Sequence, residues 1–386
     1  MENVALKIQR RRYSGAAVHE VAIHHLVQRE TGGCGDIVAM REAFLHDGHV
    51  CMAFEKHGRS LDETLSTRPL PLPRAKSVTR QLLRAVAALH RCGYAHTDIK
   101  PDNILYDART GHARLADLGS AEKELSQGTT FGTREYMAPE LIVGAPMGLS
   151  LDMWSLGCTV FEILTGRQLF NPRRTASKKY REFSDGKDAI EVPLGESAKA
   201  DLAAEAAEQF TPGAVLAGKY ELGKILGRGH FGSVWVARKL NDSLLDGSHA
   251  TLWGYAENVR QNSPAETGAT DRDRDWRRAR GADDLLDLVL NYEYLTGIIR
   301  LCGALTGEMI QSAQYRASYF NEDGTVRFHP MLRRTSLRTV LRRSATFSSA
   351  KLDPAADFIS ALLAVSADAR PSAEAALNHP WLKPHR

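Results

Sequence analysis

The sequence predicts an α+β fold, with strand-prone runs in some segments and helical periodicity in others. Three observations carry this. Two β-prone runs, Val4-Ala5-Leu6-Lys7-Ile8 and the segment HVCMAFE at 49–55, lie within the first 57 residues. A third strand-like segment, with alternating residues around glycines, runs from Lys219 to Leu240. After Pro73, apolar residues instead recur at three- and four-residue spacing, the mark of helices with one buried face. The chain has 386 residues, 43% apolar and 25% charged, enough for one large core or two modest ones.

Taken in order, Val4–Ile8 predicts a strand, and 16–29 a helix with Ala17, Val21, His24 and His25 near one face. His49–Glu55 reads as a buried strand. Val78, Leu82, Leu83, Val86 and Leu89 mark a helix after Pro73, and 152–164 marks another, stopped by Gly166. From Asn171 to about Ala282 the texture changes. Residues 196–210 have strong helix propensity with a weak apolar face, and 254–282 predict a flexible connection. Helical periodicity returns at 283–302 and 355–382.

The formal net charge of +4 is too small on such a chain to argue for nucleic acid or membrane. The Arg-rich stretches at 272–280 and 333–343 read as solvated faces. No apolar run approaches the roughly 18 residues of a membrane span, and the order apolar-then-basic in VALKIQRRR reverses that of a signal peptide. Cys34, Cys51, Cys92, Cys158 and Cys302 are scattered without a CxxC, which predicts reduced thiols in a cytoplasmic or nuclear protein.

The most informative octet is His96-Thr97-Asp98-Ile99-Lys100-Pro101-Asp102-Asn103. It sets a carboxylate, a lysine and an amide at the spacing that phosphoryl transfer to a hydroxyl uses: a proton acceptor, a cation for the moving phosphoryl group, and an oxygen ligand for Mg²⁺. It resembles a protein-kinase catalytic loop. Asp117-Leu118-Gly119 resembles that family's metal-binding triplet, with Leu in the place of Phe. Gly132-Thr133 and Ala138-Pro139-Glu140 resemble the end of its activation segment. Asp152 matches the aspartate that braces the catalytic loop, and Arg370 the arginine that pairs with Glu140; these three are structural positions. Val4-Ala5-Leu6-Lys7 matches the strand whose lysine holds the nucleotide phosphates, with Glu20 as its partner thirteen residues on. The resemblance further implies that Ala5 and Phe54 line the adenine pocket, and that Glu55 to His57 form the hinge.

Gly227-Arg228-Gly229-His230-Phe231-Gly232-Ser233-Val234 is a full G-x-G-x-x-G-x-V. Alone this motif is often only a turn. A dinucleotide-binding reading needs a helix after it, and SVWVARKL reads as a strand, so a β-hairpin over phosphates fits better. In the kinase family this hairpin precedes the lysine strand by a short loop; here it follows by more than 200 residues. Each motif occurs once, so the sequence predicts one kinase fold with its first strands transposed. A misassembled gene order is the rival account. Fully extended, 171–218 reaches about 160 Å and 250–282 about 110 Å, against a core about 55 Å across. The hairpin can therefore dock beside residues 4–8 as an antiparallel neighbour.

The resemblance implies a bilobal protein-kinase fold: a small lobe at 1–57, a first part of the large lobe at 58–170, an insert at 171–282 carrying the hairpin at 219–249, and a C-terminal part at 283–386. It implies a serine/threonine kinase using ATP and Mg²⁺, with catalytic Asp98, Lys100, Asn103 and Thr133, metal ligands Asn103 and Asp117, and nucleotide contacts from Lys7, Glu20, Ala5, Phe54, Glu55, His57, Gly227, Gly229, Gly232, Val234 and Asp117. The branch most resembled is the CMGC group, in its SR-protein-kinase and splicing-kinase part, which suggests an Arg/Ser-rich protein substrate. Met137 after Tyr136 and the Ala138-Pro139-Glu140 triplet depart from that branch. Thr97 replaces the Arg that reads a phosphorylated activation loop in the family. A monomer without nucleic-acid or membrane partners is expected. The alternative is a pseudokinase or scaffold that keeps the fold without efficient catalysis.

Overall fold

The computed structural model describes residues 3–123, 132–172, 210–229, 232–240, 283–327, 334–344 and 349–383. The expectations for 196–209 and 254–282 lie outside them. The chain divides into two compact units.

In the first unit, β1 (Asn3–Gln9) buries Val4, Leu6 and Ile8 on one face, while Ala5 and Lys7 face the other way, as strand alternation requires. After β1 the helix α1 (Ser14–Thr31) begins; its first part, to Val21, belongs to this unit. Next come β2 (Met40–His46) and β3 (His49–Glu55), then, after the insert begins, β7 (Val215–Leu216), β8 (Tyr220–Gly229) and β9 (Gly232–Lys239). Every pairing in this sheet is antiparallel, in the order β2-β3-β1-β9-β8-β7. β9 lies against β1 over seven consecutive pairs, from Asn3↔Arg238 to Gln9↔Gly232. The transposed hairpin thus supplies the neighbour that the lysine strand needs. Gly232 is required there, since a Cβ would sit 2.0 Å from the Ile8 carbonyl oxygen. The inner face packs Leu6, Phe44, Cys51, Ala53, Tyr220, Leu222 and Trp235.

The second unit begins within α1, at Ala22, and takes residues 22–39 with it, a stretch that the sequence reading placed with the first. The reason is local: Ile23, Val27 and Ile37 belong to this unit's core, and the Val38 amide donates to the Leu115 carbonyl at 2.9 Å. The chain re-enters at His57. A three-stranded sheet, β4 (Arg59–Ser60), β5 (Ile104–Asp107) and β6 (His112–Leu115), carries the motif loops. α2 (Leu61–Leu65) and α3 (Leu72–Arg91) follow β4; α3 buries Ala75, Val78, Leu82, Leu83, Val86 and Leu89 as one stripe. After the short α4 (Pro139–Val143) comes α5 (Leu151–Thr165), buried along its whole length, so that its polar residues must find partners. α6 (Asp283–Cys302) and the helices Leu337–Ser344, Ser349–Leu362 and Ala373–Leu377 complete the unit. Among the described residues, no helix is long and apolar enough to cross a membrane.

The buried charges of Arg370 and Glu140 are paired. Arg370 donates to both Glu140 oxygens at 2.6 and 2.8 Å and spends its remaining donors on the Ala364, Ser150 and Val365 carbonyls. Its guanidinium also lies over the Trp154 ring, 5.3 Å from the centroid. Removing one partner leaves a buried charge alone, so Glu140→Ala should cost about 3–5 kcal/mol. Urea denaturation of wild type and variant checks this.

Glu162 of α5 is different, because no cation compensates it among its main influences. Burial pushes its carboxyl up to about 7; the Tyr136 hydroxyl, which donates to it at 2.5 Å, opposes this, while Asp62, Asp102 and Glu135 push the same way. The folded state therefore holds a proton that the unfolded chain releases near its ordinary 4.5. That contribution to stability is full below pH 4.5 and is lost as pH rises through about 7. Glu162→Gln keeps an acceptor for Tyr136 without the titration. Between pH 5 and 8, the melting temperature of wild type should fall relative to that of Glu162→Gln. Parallel curves would show that Glu162 is ionised throughout.

Candidate active site

The second unit assembles its loop on one buried carboxylate. Asp152, in the first turn of α5, accepts the His96 amide at 2.7 Å and the Thr97 amide at 2.9 Å, and its Oδ2 lies 2.9 Å from His90 Nε2. Thr97 takes a left-handed backbone (φ 68°), which lets two successive N–H groups converge on one side chain. His96 is held twice. Its Nδ1 accepts the Asp98 amide at 3.3 Å, so Nε2 carries the proton and donates to the Ala116 carbonyl at 3.0 Å. Thr97, buried, donates from its hydroxyl to the Ser120 carbonyl at 2.7 Å.

Asp98 is thereby placed at the centre of a compact set. Thr133 donates to Asp98 Oδ1 at 2.8 Å; Lys100 and Asn103 donate to Oδ2 at 2.8 and 3.0 Å. Lys100 also donates to the Thr133 hydroxyl at 2.6 Å. Gly132 permits this closure, because a Cβ there would lie 2.3 Å from the Thr97 carbonyl oxygen. The hairpin β5–β6 brings the next two residues together: Asn103 precedes β5, Asp117 follows β6 by one residue, and the Ala116 amide donates to the Asn103 carbonyl at 2.8 Å. Asp117 is left-handed (φ 60°), and Leu118 after it is fully buried in the core.

The first unit carries the other half of the predicted set. Lys7 donates to both Glu20 oxygens at 2.8 Å, with Glu20 buried. The register Phe54↔Ala5↔Val236 and Met52↔Lys7↔Val234 puts Ala5, Lys7, Phe54 and Val234 on one face of the sheet, opposite the packed inner face. That face is an apolar platform with one ammonium group. Gly227 pairs with Val234, and Gly229 with Gly232, toward the turn end of the hairpin; His230 and Phe231 lie outside the described residues. Glu55 is exposed at the end of β3. His57, in the second unit, lies 2.6 Å through Nδ1 from Arg114 Nη1. Sequence reasoning gave no role to His96, nor to the bond from Thr97 to Ser120. The histidine stood inside the motif, but its two-sided bonding depends on where β6 ends.

The donor set suits the cofactors that the resemblance implies. Mg²⁺ takes hard oxygen ligands and is commonly bound through one or two carboxylates plus nucleotide phosphates. Asp117 and Asn103 match that demand: Asn103 uses its amide nitrogen on Asp98, which leaves the amide oxygen for a cation. Among the described residues, no cluster of three His, Cys, Asp or Glu side chains offers a dedicated metal cage.

The chain is similar to known proteins. The pattern described as "Protein kinase domain" matches residues 2–212 and ends before β7. Serine/threonine-protein kinase AFC3 of Arabidopsis thaliana is 33% identical over 198 residues, covering 44% of this chain and 50% of that protein. Serine/threonine-protein kinase prp4 of Schizosaccharomyces pombe is 33% identical over 175 residues, covering 44% and 36%. Cyclin-dependent kinase-like 5 of Mus musculus is 34% identical over 177 residues, covering 44% and 19%. The chain thus spans half or less of the length of these curated relatives. Since the family pattern extends over more than half of its residues, the chain belongs to the protein kinase family.

Proposed function

We propose that the chain is a serine/threonine protein kinase, which transfers the γ-phosphoryl group of ATP to a protein hydroxyl. The observation that carries this reading is the bonding around Asp98, where every partner is a residue type that the reaction uses. Asp98 orients the substrate hydroxyl and takes its proton as the oxygen attacks the γ-phosphorus. The bond to the bridging oxygen breaks, and ADP leaves with that electron pair. Lys100, held by Asp98 and Thr133, offers its charge to the moving phosphoryl group. Thr133 fixes the carboxylate's orientation. Asn103 and Asp117 would hold Mg²⁺, which would supply positive charge against the phosphates. Lys7, fixed by Glu20, takes the α- and β-phosphates, and Ala5, Phe54 and Val234 cover the base.

The names of two relatives support Ser/Thr rather than Tyr as acceptor. An Arg/Ser-rich substrate fits the branch resemblance and the acidic residues Asp62, Asp102 and Glu135. Thr97 spends its hydroxyl on Ser120, so we also propose that activity does not depend on a phosphorylated activation segment. Phosphatase treatment should leave turnover unchanged; loss of activity would overturn that part.

Asp98→Asn should lower turnover on a basic Ser-containing peptide by at least a hundredfold, while ATP with Mg²⁺ still raises the melting temperature. Saturation at about 100 times Kd corresponds to roughly 2.7 kcal/mol of added stability. Lys7→Ala should lose that shift. Equal turnover in Asp98→Asn would overturn the kinase reading, and an inactive wild type that still binds ATP would favour the scaffold.

A further inference from the structure

Glu42 is a buried carboxylate that the proposed chemistry does not use. Its position is set by a bulge. Met40 pairs with Phe54 and Glu42 with Ala53, a register shift that turns Glu42 onto the face carrying Phe44, Cys51 and Ala53. That is the packed inner face of the first unit's sheet, where an acid needs partners. Both partners come from residues about 180 positions later. Lys219 and the Tyr220 hydroxyl donate to the two Glu42 oxygens, and the Tyr220 ring stacks on Phe44 at 5.6 Å and 6°. Close by, the Ala217 amide donates to His46 Nδ1 at 3.3 Å, and Phe210 meets His49 edge-on at 5.2 Å.

In the sheet order, β2 is one edge, while β8 and β7 lie at the far end. The contact from Tyr220 to Glu42 therefore joins the two ends of a curled sheet, and it does so at the residue where the glycine-rich hairpin begins. Burial pushes the Glu42 carboxyl up, but the hydrogen bonds from Lys219 and Tyr220, with the charges of Lys219 and Lys239, outweigh it and hold the group below its ordinary value. The carboxylate stays charged, and the clasp stays an ion pair.

We infer that Glu42 is a positioning residue for nucleotide binding: with Lys219 and Tyr220 it clasps the transposed hairpin onto the sheet and fixes Val234 and its partner Gly227 beside Lys7. The usual short covalent link between hairpin and lysine strand is missing here, since more than 200 residues separate Gln9 from Gly232. Ladder bonds hold β9 against β1, and Glu42 locks the other strand of the hairpin. This role rests on the nucleotide-binding reading of the first unit, so the test separates the two.

In the full chain, hydrogen exchange of 220–239 and titration with MgATP are measured for wild type, Glu42→Ala, Glu42→Gln, the charge swap Glu42→Lys with Lys219→Glu, and Lys7→Ala. Glu42→Ala should speed hairpin exchange at least tenfold and raise the KM for ATP at least tenfold, with kcat changed less than threefold. Exchange in α3 and α5 should stay at the wild-type rate, which shows that the chain is folded. Glu42→Gln should fall between, and the swap should restore protection. Lys7→Ala should weaken ATP binding without changing hairpin exchange. Unchanged hairpin exchange in Glu42→Ala overturns the clasp, and faster exchange with unchanged KM overturns the positioning role. A wild type that binds no ATP overturns the nucleotide-binding reading, while the exchange data still decide the clasp.

Discussion

The seven-pair ladder between β1 and β9 is the constraint on which the first unit depends, because β1 sits in the middle of its sheet and would otherwise be an edge. Chain connectivity does nothing to enforce this ladder. Closing a loop of more than 200 residues instead of one of about ten costs only about 3 kcal/mol more, because closure entropy grows with the logarithm of length. Backbone hydrogen bonds at roughly 1 kcal/mol each, with the burial of Trp235 and Ala237 against Leu6 and Val4, offset that cost. The register that results sets Val234 opposite Lys7 and Val236 opposite Ala5. Sheet geometry, not sequence order, decides which residues share a face.

The second unit depends on a different kind of constraint, the compensation of buried charge. Asp152 lies fully buried and takes two backbone N–H groups, which forces the left-handed turn at Thr97 and so aims Asp98. Glu140 and Arg370 satisfy one another across 230 residues. Glu162 meets the same demand by holding a proton. Asp152 holds the loop by its backbone, so the side chains of Asp98, Lys100, Asn103 and Thr133 can spend their bonds on one another.

What could be read in the sequence follows from how local each feature is. The loop from His96 to Asn103 was legible because the residues of one chemical task stand within eight positions, and the hairpin at 219–240 because glycines punctuate strand alternation. The strand from Val4, the helix after Pro73 and the one from Leu151 were legible from apolar spacing. The clasp at Glu42 was not, because it depends on a bulge that no residue type announces and on partners brought near only by the curl of the sheet. The grouping of 22–39 with the second unit was hidden for a similar reason: Ile23 and Val27 look like any helical face until their neighbours are known. The proton on Glu162 was equally invisible, since it depends first on the burial of that side chain and then on Asp62, Asp102 and Glu135 arriving from three separate segments.

The transposition also changes when the parts can form. Synthesis makes β1 well before β9, so its open edge waits until residue 239 has been made before β9 can cover it. Pairings this distant in sequence form late, since the entropy of closure precedes any gain from contact. Much of the second unit, including α3, the β5–β6 hairpin and α5, emerges in the meantime and draws on local contacts. The lysine strand is therefore complete long before its glycine-rich partner. Of the two strands that flank β1 in the finished sheet, only β3 has been made during that interval. A charged residue beside such an edge discourages pairing with other chains. Lys7 stands on β1 itself and Arg10 just beyond it, which sets two positive charges at this edge.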